Sequence, residues 1–260
     1  MRCEVTRRAA DAMLAAAEAA EATSEPVRMI ALVTPNNPTG LPVPAADVRR
    51  IAAAVPRALV VVDAAYVEFD DPAYPAAVLG PPNVVTVRTF SKAWGLAGLR
   101  CGWVAGPPDV VAGLRAAGGP YSVGGATLAA VGALLEAELE PDPAYLARVR
   151  WERDALADAF RSAGASVPAS RANFVTPVLP DAARAAAIAD VLAADGIAVR
   201  RFAGDRAAAL RITCPGSDED WALLAASLAR AGVPATGDAT GGGATDTGPR
   251  RVAAGEEAAR

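Results

Sequence analysis

The sequence contains no histidine and no glutamine, and Lys92 is its one lysine among 260 residues. The absence of histidine excludes Ser-His-Asp and Cys-His nucleophiles, imidazole general bases and metal sites that need imidazole. The three cysteines, Cys3, Cys101 and Cys214, are far apart and form no Cys-x-x-Cys pair. We therefore expect no disulfide framework and no metal site.

Charge and hydropathy exclude further classes of protein. The chain has 25 basic and 29 acidic residues, a net charge of −4, which argues against a nucleic-acid-binding surface. No apolar run is long enough to cross a bilayer, so we expect no membrane association. The first residues, Met1-Arg2-Cys3-Glu4, precede no apolar signal core, and a cytoplasmic location is predicted.

The scarcity of lysine draws attention to Lys92. Arginine accounts for 24 of the 25 basic residues. An amine can lose its proton and attack a carbonyl carbon, whereas a guanidinium stays protonated. Composition alone leaves two interpretations of Lys92 open, a reactive amine or an ordinary surface charge.

The first half of the chain alternates apolar segments with helical ones. Helices are predicted over 9–22, 44–55 and 124–140. The predicted strands are Met29–Val33, Ala58–Val62, Asn83–Phe90 and Trp103–Ala105. Continuous apolar strands between helices indicate an α/β fold, with a parallel sheet covered on both faces.

The second half predicts a smaller α+β unit. Its predicted elements are a bridging helix 143–163, strands Asn173–Val178, Ile197–Phe202 and Ala209–Cys214, and helices 181–194 and 217–230. We therefore predict a large domain over 1–142 and a small domain over 143–232. Residues 233–260 are rich in glycine, threonine and charge, and a disordered tail is predicted there.

Polar side chains follow three successive predicted strands. Asn37 comes after the first strand, Asp63 after the second, and Ser91-Lys92 after the third. The carboxyl ends of parallel strands are where ligands bind in open α/β sheets. Each residue also has a purely structural interpretation: an ordinary turn at Asn37, a cap at Asp63 and simple packing of Tyr66. What favours a functional site is that these residues follow successive strands around the one lysine.

Five motifs then support a resemblance. They are TPNNPTG (34–40), VVVDAAYVEF (60–69), VRTFSKAWGLAGLRCGW (87–103), SRANF (170–174) and ALRIT (209–213). Together they resemble the fold-type I pyridoxal-phosphate aminotransferases, especially the histidinol-phosphate aminotransferase branch with its aromatic-amino-acid relatives. The resemblance runs from about Ile30 to Ala231 and keeps the family's motif order. It implies a three-layer large domain with a parallel-rich sheet, incomplete here, and a small C-terminal α+β domain.

The resemblance implies pyridoxal 5'-phosphate as the cofactor. Lys92 would form the internal aldimine and then act as the base that moves the substrate proton. Asp63 would pair with the pyridinium nitrogen, while Tyr66 and Asn37 would donate hydrogen bonds to the ring's phenolate oxygen. Arg100 would bind the cofactor phosphate through its planar guanidinium.

The remaining implied roles concern the phosphate and the substrate. Ser91 or Thr89 would add a hydroxyl to the phosphate. Arg211, with Asn37, would bind the substrate α-carboxylate, although an exposed strand arginine is the alternative; Arg200 would face a distal acidic group. The substrates would be an amino acid and a 2-oxo acid, in amino-acid biosynthesis, and the protein would be a homodimer.

The sequence also departs from the family pattern. Ala64 stands where the family usually has an acidic residue. The chain is expected to begin about a third of the way into a family member, without the N-terminal arm, the loop that cradles the phosphate, the aromatic ring stacked on the cofactor, and the partner subunit's tyrosine. Unprotected sheet edges are then expected.

Three hypotheses follow from these observations. The first is a transaminase that works through Lys92. The second is a decarboxylase of similar fold that acts on a phosphorylated amino acid, because the same cofactor chemistry serves both reactions. The third is a truncated remnant without catalysis.

Overall fold

The computed structural model describes residues 2–21 and 26–235. The predicted disordered tail, 233–260, lies outside the described residues from 236 onward. Val233, inside that predicted tail, is fully buried in a hydrophobic cluster. The packed core therefore extends past residue 232, where the sequence places the end of the small domain.

The first sheet has four strands in the order β1-β2-β3-β4. They are β1 Met29–Val33, β2 Leu59–Asp63, β3 Val84–Thr89 and β4 Gly102–Ala105. Strands β1, β2 and β3 are parallel, and β4 runs antiparallel to β3. The fold is α/β with a parallel-rich sheet, as predicted.

The direction of β4 corrects the prediction of a parallel sheet. Between β3 and β4 the chain forms a 3₁₀ helix, Ala97–Leu99, and no α-helix that could cross the sheet. It folds back at once, since the Phe90 N–H donates to the Cys101 carbonyl at 3.1 Å. Full cover on both faces is also wrong for β1, where Met29 is 61 % exposed.

Three helices accompany this sheet: α1 Arg2–Glu21, α2 Ala45–Ala54 and α3 Tyr74–Val78. Helix α1 begins earlier than predicted, and α3 lies in a stretch for which no element was predicted. Asn83 joins α2 to the sheet, because its Nδ2 donates to the carbonyls of Ala52, Val55 and Ala58 at 3.0–3.1 Å. One buried amide therefore serves three carbonyls at the end of α2 and the start of β2.

Two further helices are exposed over most of their surface. Helix α4, Pro108–Ala117, was not predicted and buries no side chain, and α5, Gly125–Glu136, buries only Val131. Helix α5 ends before the predicted residue 140. The exposed apolar side chains of this region are Leu114, Tyr121, Leu128, Leu135 and Leu139.

The second sheet is antiparallel, in the order β5-β7-β6. Its elements are α6 Pro143–Ser162, β5 Phe174–Val175, α7 Ala182–Ala194, β6 Arg200–Arg201, β7 Leu210–Thr213 and α8 Asp218–Arg230. Strands β5 and β6 are shorter than predicted, because the β5 pairing continues only as isolated bridges at Val178 and because β6 is an exposed edge.

The hydrophobic cluster of this half includes residues from the first sheet's loops. Phe160, Phe174 and Leu192 belong to the same cluster as Tyr66 and Phe69. The division into domains at residue 142 stays a prediction, and Tyr66 itself packs with the second sheet.

Helix α6 carries a buried ion pair. Arg148 Nε lies 2.7 Å from Glu152 Oε1, and the other Glu152 oxygen accepts the Gly216 N–H at 2.8 Å. The Glu152 side chain has no solvent exposure. Burial raises the pKa of its carboxyl, and the hydrogen bonds from Arg148 and Gly216 oppose that rise. Across the described helices, none is long and apolar enough to cross a membrane.

Candidate active site

The candidate site lies at the carboxyl edge of the first sheet. Strands β1, β2 and β3 are parallel neighbours, so Asn37, Asp63 and Lys92 follow strand ends on the same edge. The topology therefore brings three of the site residues predicted from the sequence to one edge of the sheet.

Lys92 lies over the ring of Tyr66. Its Nζ is 5.2 Å from the ring centroid, and no described residue gives the amine a hydrogen bond or an ion pair. Tyr66 is 7 % exposed and packs edge-on against Phe174, with the centroids 5.3 Å apart. The ring is thus fixed from below by β5, while the amine above it remains accessible.

Asp63 is the last residue of β2. Its backbone pairs with Val33 and Val87, and its Oδ1 accepts the Ala65 N–H at 3.0 Å. The second carboxylate oxygen has no hydrogen bond to a described residue. It is available to a cation or an N–H donor.

Arg100 and Ser91, close to Lys92 in the sequence, offer hydrogen-bond donors of the kind that bind a phosphate. Arg100 adopts a left-handed conformation, φ 51°, and its Nη1 donates to the Ala97 carbonyl at 3.1 Å and approaches Ser91 Oγ at 3.5 Å. The Thr89 hydroxyl accepts the Ser91 N–H at 3.0 Å and donates to Cys101. Because Thr89 is engaged within the turn, the geometry favours Ser91 as the hydroxyl for a phosphate.

Arg211 extends from the second sheet to the first. Its Nη1 donates to Asn37 Oδ1 at 2.7 Å, its guanidinium lies 5.2 Å from the Phe174 ring centroid, and its Nε is buried without a partner. Arg200 is the residue opposite Arg211 in the β6–β7 register, so both side chains leave the same face. Arg200 and Arg211 are therefore cross-strand neighbours on one face of the second sheet.

The sequence analysis did not predict a buried ion pair that lies close to Tyr66 in the chain. Glu68 is buried within the 3₁₀ helix Val67–Phe69, and its Oε1 lies 2.7 Å from Arg88 Nη2. The available signal was an acidic residue between two apolar ones, two positions after Tyr66. Among the described side chains, no group of three or more His, Cys, Asp or Glu could hold a metal ion.

The donor set fits pyridoxal 5'-phosphate. Lys92 offers an amine to an aldehyde, and Asp63 has a carboxylate oxygen left for a protonated ring nitrogen. Arg100 and Ser91 offer a guanidinium and a hydroxyl to a phosphate. The aldehyde, the ring nitrogen and the phosphate of the cofactor therefore each have a chemically matched residue.

A lysine at the carboxyl edge of a parallel-rich sheet, with an arginine contributed by a second sheet, is the arrangement expected from the resemblance to the fold-type I class of α/β proteins. The profile of the family described as "Aminotransferase class I and II" matches residues 3–228, and the chain belongs to this family.

Named relatives agree with this family. The chain is 41 % identical over 217 residues to an aromatic amino acid aminotransferase of Mycobacteroides abscessus, covering 81 % of this chain and 60 % of that protein. It is 39 % identical over 183 residues to a histidinol-phosphate aminotransferase of Paracoccus denitrificans, covering 68 % of this chain and 48 % of the relative.

A solved relative has the same fold. The crystal structure of histidinol-phosphate aminotransferase from Sinorhizobium meliloti with pyridoxal-5'-phosphate superposes with a TM-score of 0.68 at 28 % identity, covering 85 % of this chain and 60 % of that one. These matches confirm the family and the fold predicted from the sequence, and the solved relative binds the cofactor that the resemblance implies. The chain spans 60 % or less of the length of these relatives.

Proposed function

We propose that the chain binds pyridoxal 5'-phosphate through Lys92 and transfers an amino group between an amino acid and a 2-oxo acid. The observation that carries this proposal is the position of the single lysine, 5.2 Å from the Tyr66 ring at the edge where Asp63 also ends its strand. The amine needed for covalent attachment and the carboxylate needed for the ring nitrogen share one sheet edge.

The roles that we assign to the cofactor-binding residues are those that the resemblance to the family implies. Asp63 accepts a hydrogen bond from the protonated ring nitrogen, and Tyr66 and Asn37 donate to the ring oxygen. Arg100 and Ser91, with Thr89 behind them, hold the phosphate. When bound, pyridoxal 5'-phosphate supplies a ring that accepts the electrons left when a substrate proton is removed. Lys92 Nζ is the group that takes this proton and returns it.

The substrate class follows from Arg211. A planar guanidinium binds a carboxylate through two parallel hydrogen bonds, and Asn37 is within 2.7 Å of the same nitrogen. We assign the α-carboxylate to this pair. Arg200, opposite Arg211, suits an acidic group farther along the substrate. The names of the relatives favour an aromatic or histidinol-phosphate-like amino acid, used in biosynthesis.

Transamination is better supported than the two alternatives. Both curated relatives are aminotransferases, which favours this reaction over decarboxylation of a phosphorylated amino acid. The hypothesis of a truncated remnant without catalysis makes a different prediction, a stable fold without cofactor attachment. Cofactor trapping separates it from the other two.

We further infer that the protein is a cytoplasmic homodimer with a large domain over 1–142 and a small domain over 143–232. The exposed leucines of α4 and α5, between 43 % and 56 % exposed, support a covered surface there. Light scattering over a range of concentrations tests the homodimer, which requires twice the chain mass of 26.3 kDa.

The test of function is reductive trapping. The protein is mixed with pyridoxal 5'-phosphate, reduced with borohydride and digested, and the expected product is a modified Lys92 in the peptide 89–100. A visible absorbance band should appear before reduction and be absent from Lys92→Ala. The N-terminal amine is an internal control for non-selective labelling.

The substrate test follows on the loaded protein. With an aromatic amino acid and a 2-oxo acid we expect a new keto acid and a new amino acid, whereas release of carbon dioxide would indicate the decarboxylase. A native chain whose peptide 89–100 stays unmodified would overturn the proposal.

A further inference from the structure

A buried ion pair lies beside the candidate site. Glu68 Oε1 and Arg88 Nη2 are 2.7 Å apart, and the side chains are 4 % and 19 % exposed. The second oxygen of Glu68 and the Nε of Arg88 are buried without partners. This pair is separate from the residues assigned to the cofactor and the substrate.

Two contacts with β3 lie on either side of Tyr66 in the sequence, a backbone hydrogen bond before it and the ion pair after it. Before Tyr66, the Ala64 N–H donates to the Val87 carbonyl at 2.9 Å. After Tyr66, Glu68 binds Arg88, the next residue along β3. The segment 64–68 is thus attached to β3 at both ends. The second attachment is at Arg88, four residues before Lys92 in the sequence.

The two sides of the ion pair are themselves held. Arg88 lies over Trp103, its partner on β4, with the guanidinium 5.0 Å from the ring centroid. On the other side, Arg150 of α6 donates to the carbonyls of Glu68 and Phe69 at 3.2 and 3.1 Å. Arg88 is therefore packed against β4, and the backbone of the 3₁₀ helix that carries Glu68 is bound to α6.

We propose that Glu68 and Arg88 are positioning residues that hold the Tyr66 ring under the amine of Lys92. The proposal rests on the proposed function for the roles of Tyr66 and Lys92. It adds that their spacing is set by an ion pair which touches neither residue. A purely stabilising pair would affect unfolding and leave the Lys92–Tyr66 contact unchanged.

The test uses the single lysine as a probe. Because Lys92 carries the only side-chain amine, mass spectrometry of the peptide that contains Lys92, after brief acetic anhydride treatment and digestion, reports its accessibility without any cofactor. The variant is Glu68→Leu with Arg88→Met, since replacing a buried ion pair by apolar residues of similar volume is often neutral for stability. Glu68→Gln is the second variant, which keeps the side-chain shape.

A matched control is available in the other buried ion pair. Arg148 and Glu152 are also 2.7 Å apart and largely buried, on α6, and among the described residues neither has a hydrogen bond, ion pair or ring contact to Lys92 or Tyr66. Arg148→Met with Glu152→Leu therefore reproduces the loss of a buried ion pair. Urea unfolding of each variant measures the change in stability separately from the labelling rate.

The expected result is faster acetylation of Lys92, by about two- to fivefold, in the Glu68/Arg88 variants, because loss of a cation–π contact of this kind changes an equilibrium by about that factor. The Arg148/Glu152 control should label at the wild-type rate. Equal Lys92 labelling in wild type and both Glu68 variants would overturn the proposal, as would an equal increase in the control.

Trapping with pyridoxal 5'-phosphate distinguishes this outcome from failure of the proposed function. If the wild type is not trapped but its acetylation responds to the ion pair, the positioning inference stands and the cofactor proposal fails. If the wild type is trapped and acetylation does not respond, the reverse holds.

Discussion

Arg211 donates a hydrogen bond from Nη1 to Asn37 Oδ1 at 2.7 Å, across 174 positions of sequence. The bond joins β7 of the second sheet to the loop that follows β1 of the first. A substrate carboxylate that binds both residues therefore bridges the two sheets. The affinity of the protein for such a carboxylate depends on the planar geometry of the Arg211 guanidinium as well as on its charge.

Replacing Arg211 by lysine should weaken substrate binding and spare the cofactor. Lysine keeps the charge but cannot make two parallel hydrogen bonds. Hydrogen bonds to charged groups are worth about 1.5–3 kcal/mol, so we expect the dissociation constant of an aromatic amino acid to rise about tenfold to a hundredfold. Spectral titration of the loaded protein measures it.

Arg201→Lys is the control for this experiment. Arg201 lies on β6 and pairs with Asp190, 2.5 Å away on α7. Its replacement should leave substrate affinity unchanged. Equal weakening in both variants would remove Arg211 from the carboxylate site.

Asp63→Asn should lower the affinity for pyridoxal 5'-phosphate without lowering stability. The amide oxygen can still accept the Ala65 N–H that Asp63 Oδ1 accepts at 3.0 Å. It cannot offer a charged partner to a protonated ring nitrogen, and we expect about a tenfold loss of affinity. Equilibrium dialysis of the cofactor and urea unfolding provide the two measurements.

The matched control for Asp63 is Asp71→Asn. Asp71 Oδ1 accepts the Ala73 N–H at 2.9 Å, the same local hydrogen bond, but Asp71 lies away from the strand end. Cofactor affinity should not change in this variant. An unchanged affinity in Asp63→Asn as well would contradict the assigned role.

Asn83→Leu should destabilise the first sheet. The Asn83 amide donates to three carbonyls that leucine cannot bind. The Val55 carbonyl would keep the Ala58 N–H at 2.9 Å, and a buried acceptor left without its donor costs about 1–3 kcal/mol. We expect the free energy of unfolding to fall by about 2–4 kcal/mol, measured in urea. Asn173→Leu, at a partly exposed side chain without hydrogen bonds to described residues, should change it by less than about 0.5 kcal/mol.

Glu152 should make stability depend on pH. Burial raises the pKa of its carboxyl above the ordinary value of 4.5, so the folded chain holds this proton where the unfolded chain has lost it. The resulting contribution to stability is fully present below pH 4.5 and is lost as the pH rises through the raised pKa. Wild type should therefore gain stability relative to Glu152→Gln on acidification.

Urea unfolding of both chains between neutral pH and about pH 4.5 measures this difference. Asp154→Asn, at a side chain that is 76 % exposed, is the control and should show no such trend. A difference between wild type and Glu152→Gln that stays constant over this range would show that Glu152 has the same pKa in both states.

The central strands could be predicted because their signal is local. Met29–Val33 is β1 as predicted, and the apolar runs of β2 and β3 are displaced by only a residue at their ends. The polar residues that end these runs marked the candidate site. Burial on both faces makes such strands continuous in hydrophobicity, so they are visible without tertiary information.

Other features depend on contacts that no local pattern contains. The antiparallel direction of β4 is decided by the fold-back at Phe90 and Cys101. Helix α4 begins at Pro108, a residue that usually ends helical patterns but is tolerated in the first turn. The pairing of Glu68 with Arg88 joins residues 20 positions apart, and nothing in the local sequence indicates that they are partners.

Gly40 closes the loop that carries Asn37, at φ +73°, and its Cα lies against Ser170, so that any Cβ there would overlap the serine side chain. Its carbonyl also accepts the Arg171 N–H at 2.7 Å. The two halves of the molecule therefore touch at a residue that has no side chain, and the space beside it is filled by Ser170. A single added carbon at position 40 would force the two halves apart there, and we expect it to break the hydrogen bond between Arg211 and Asn37.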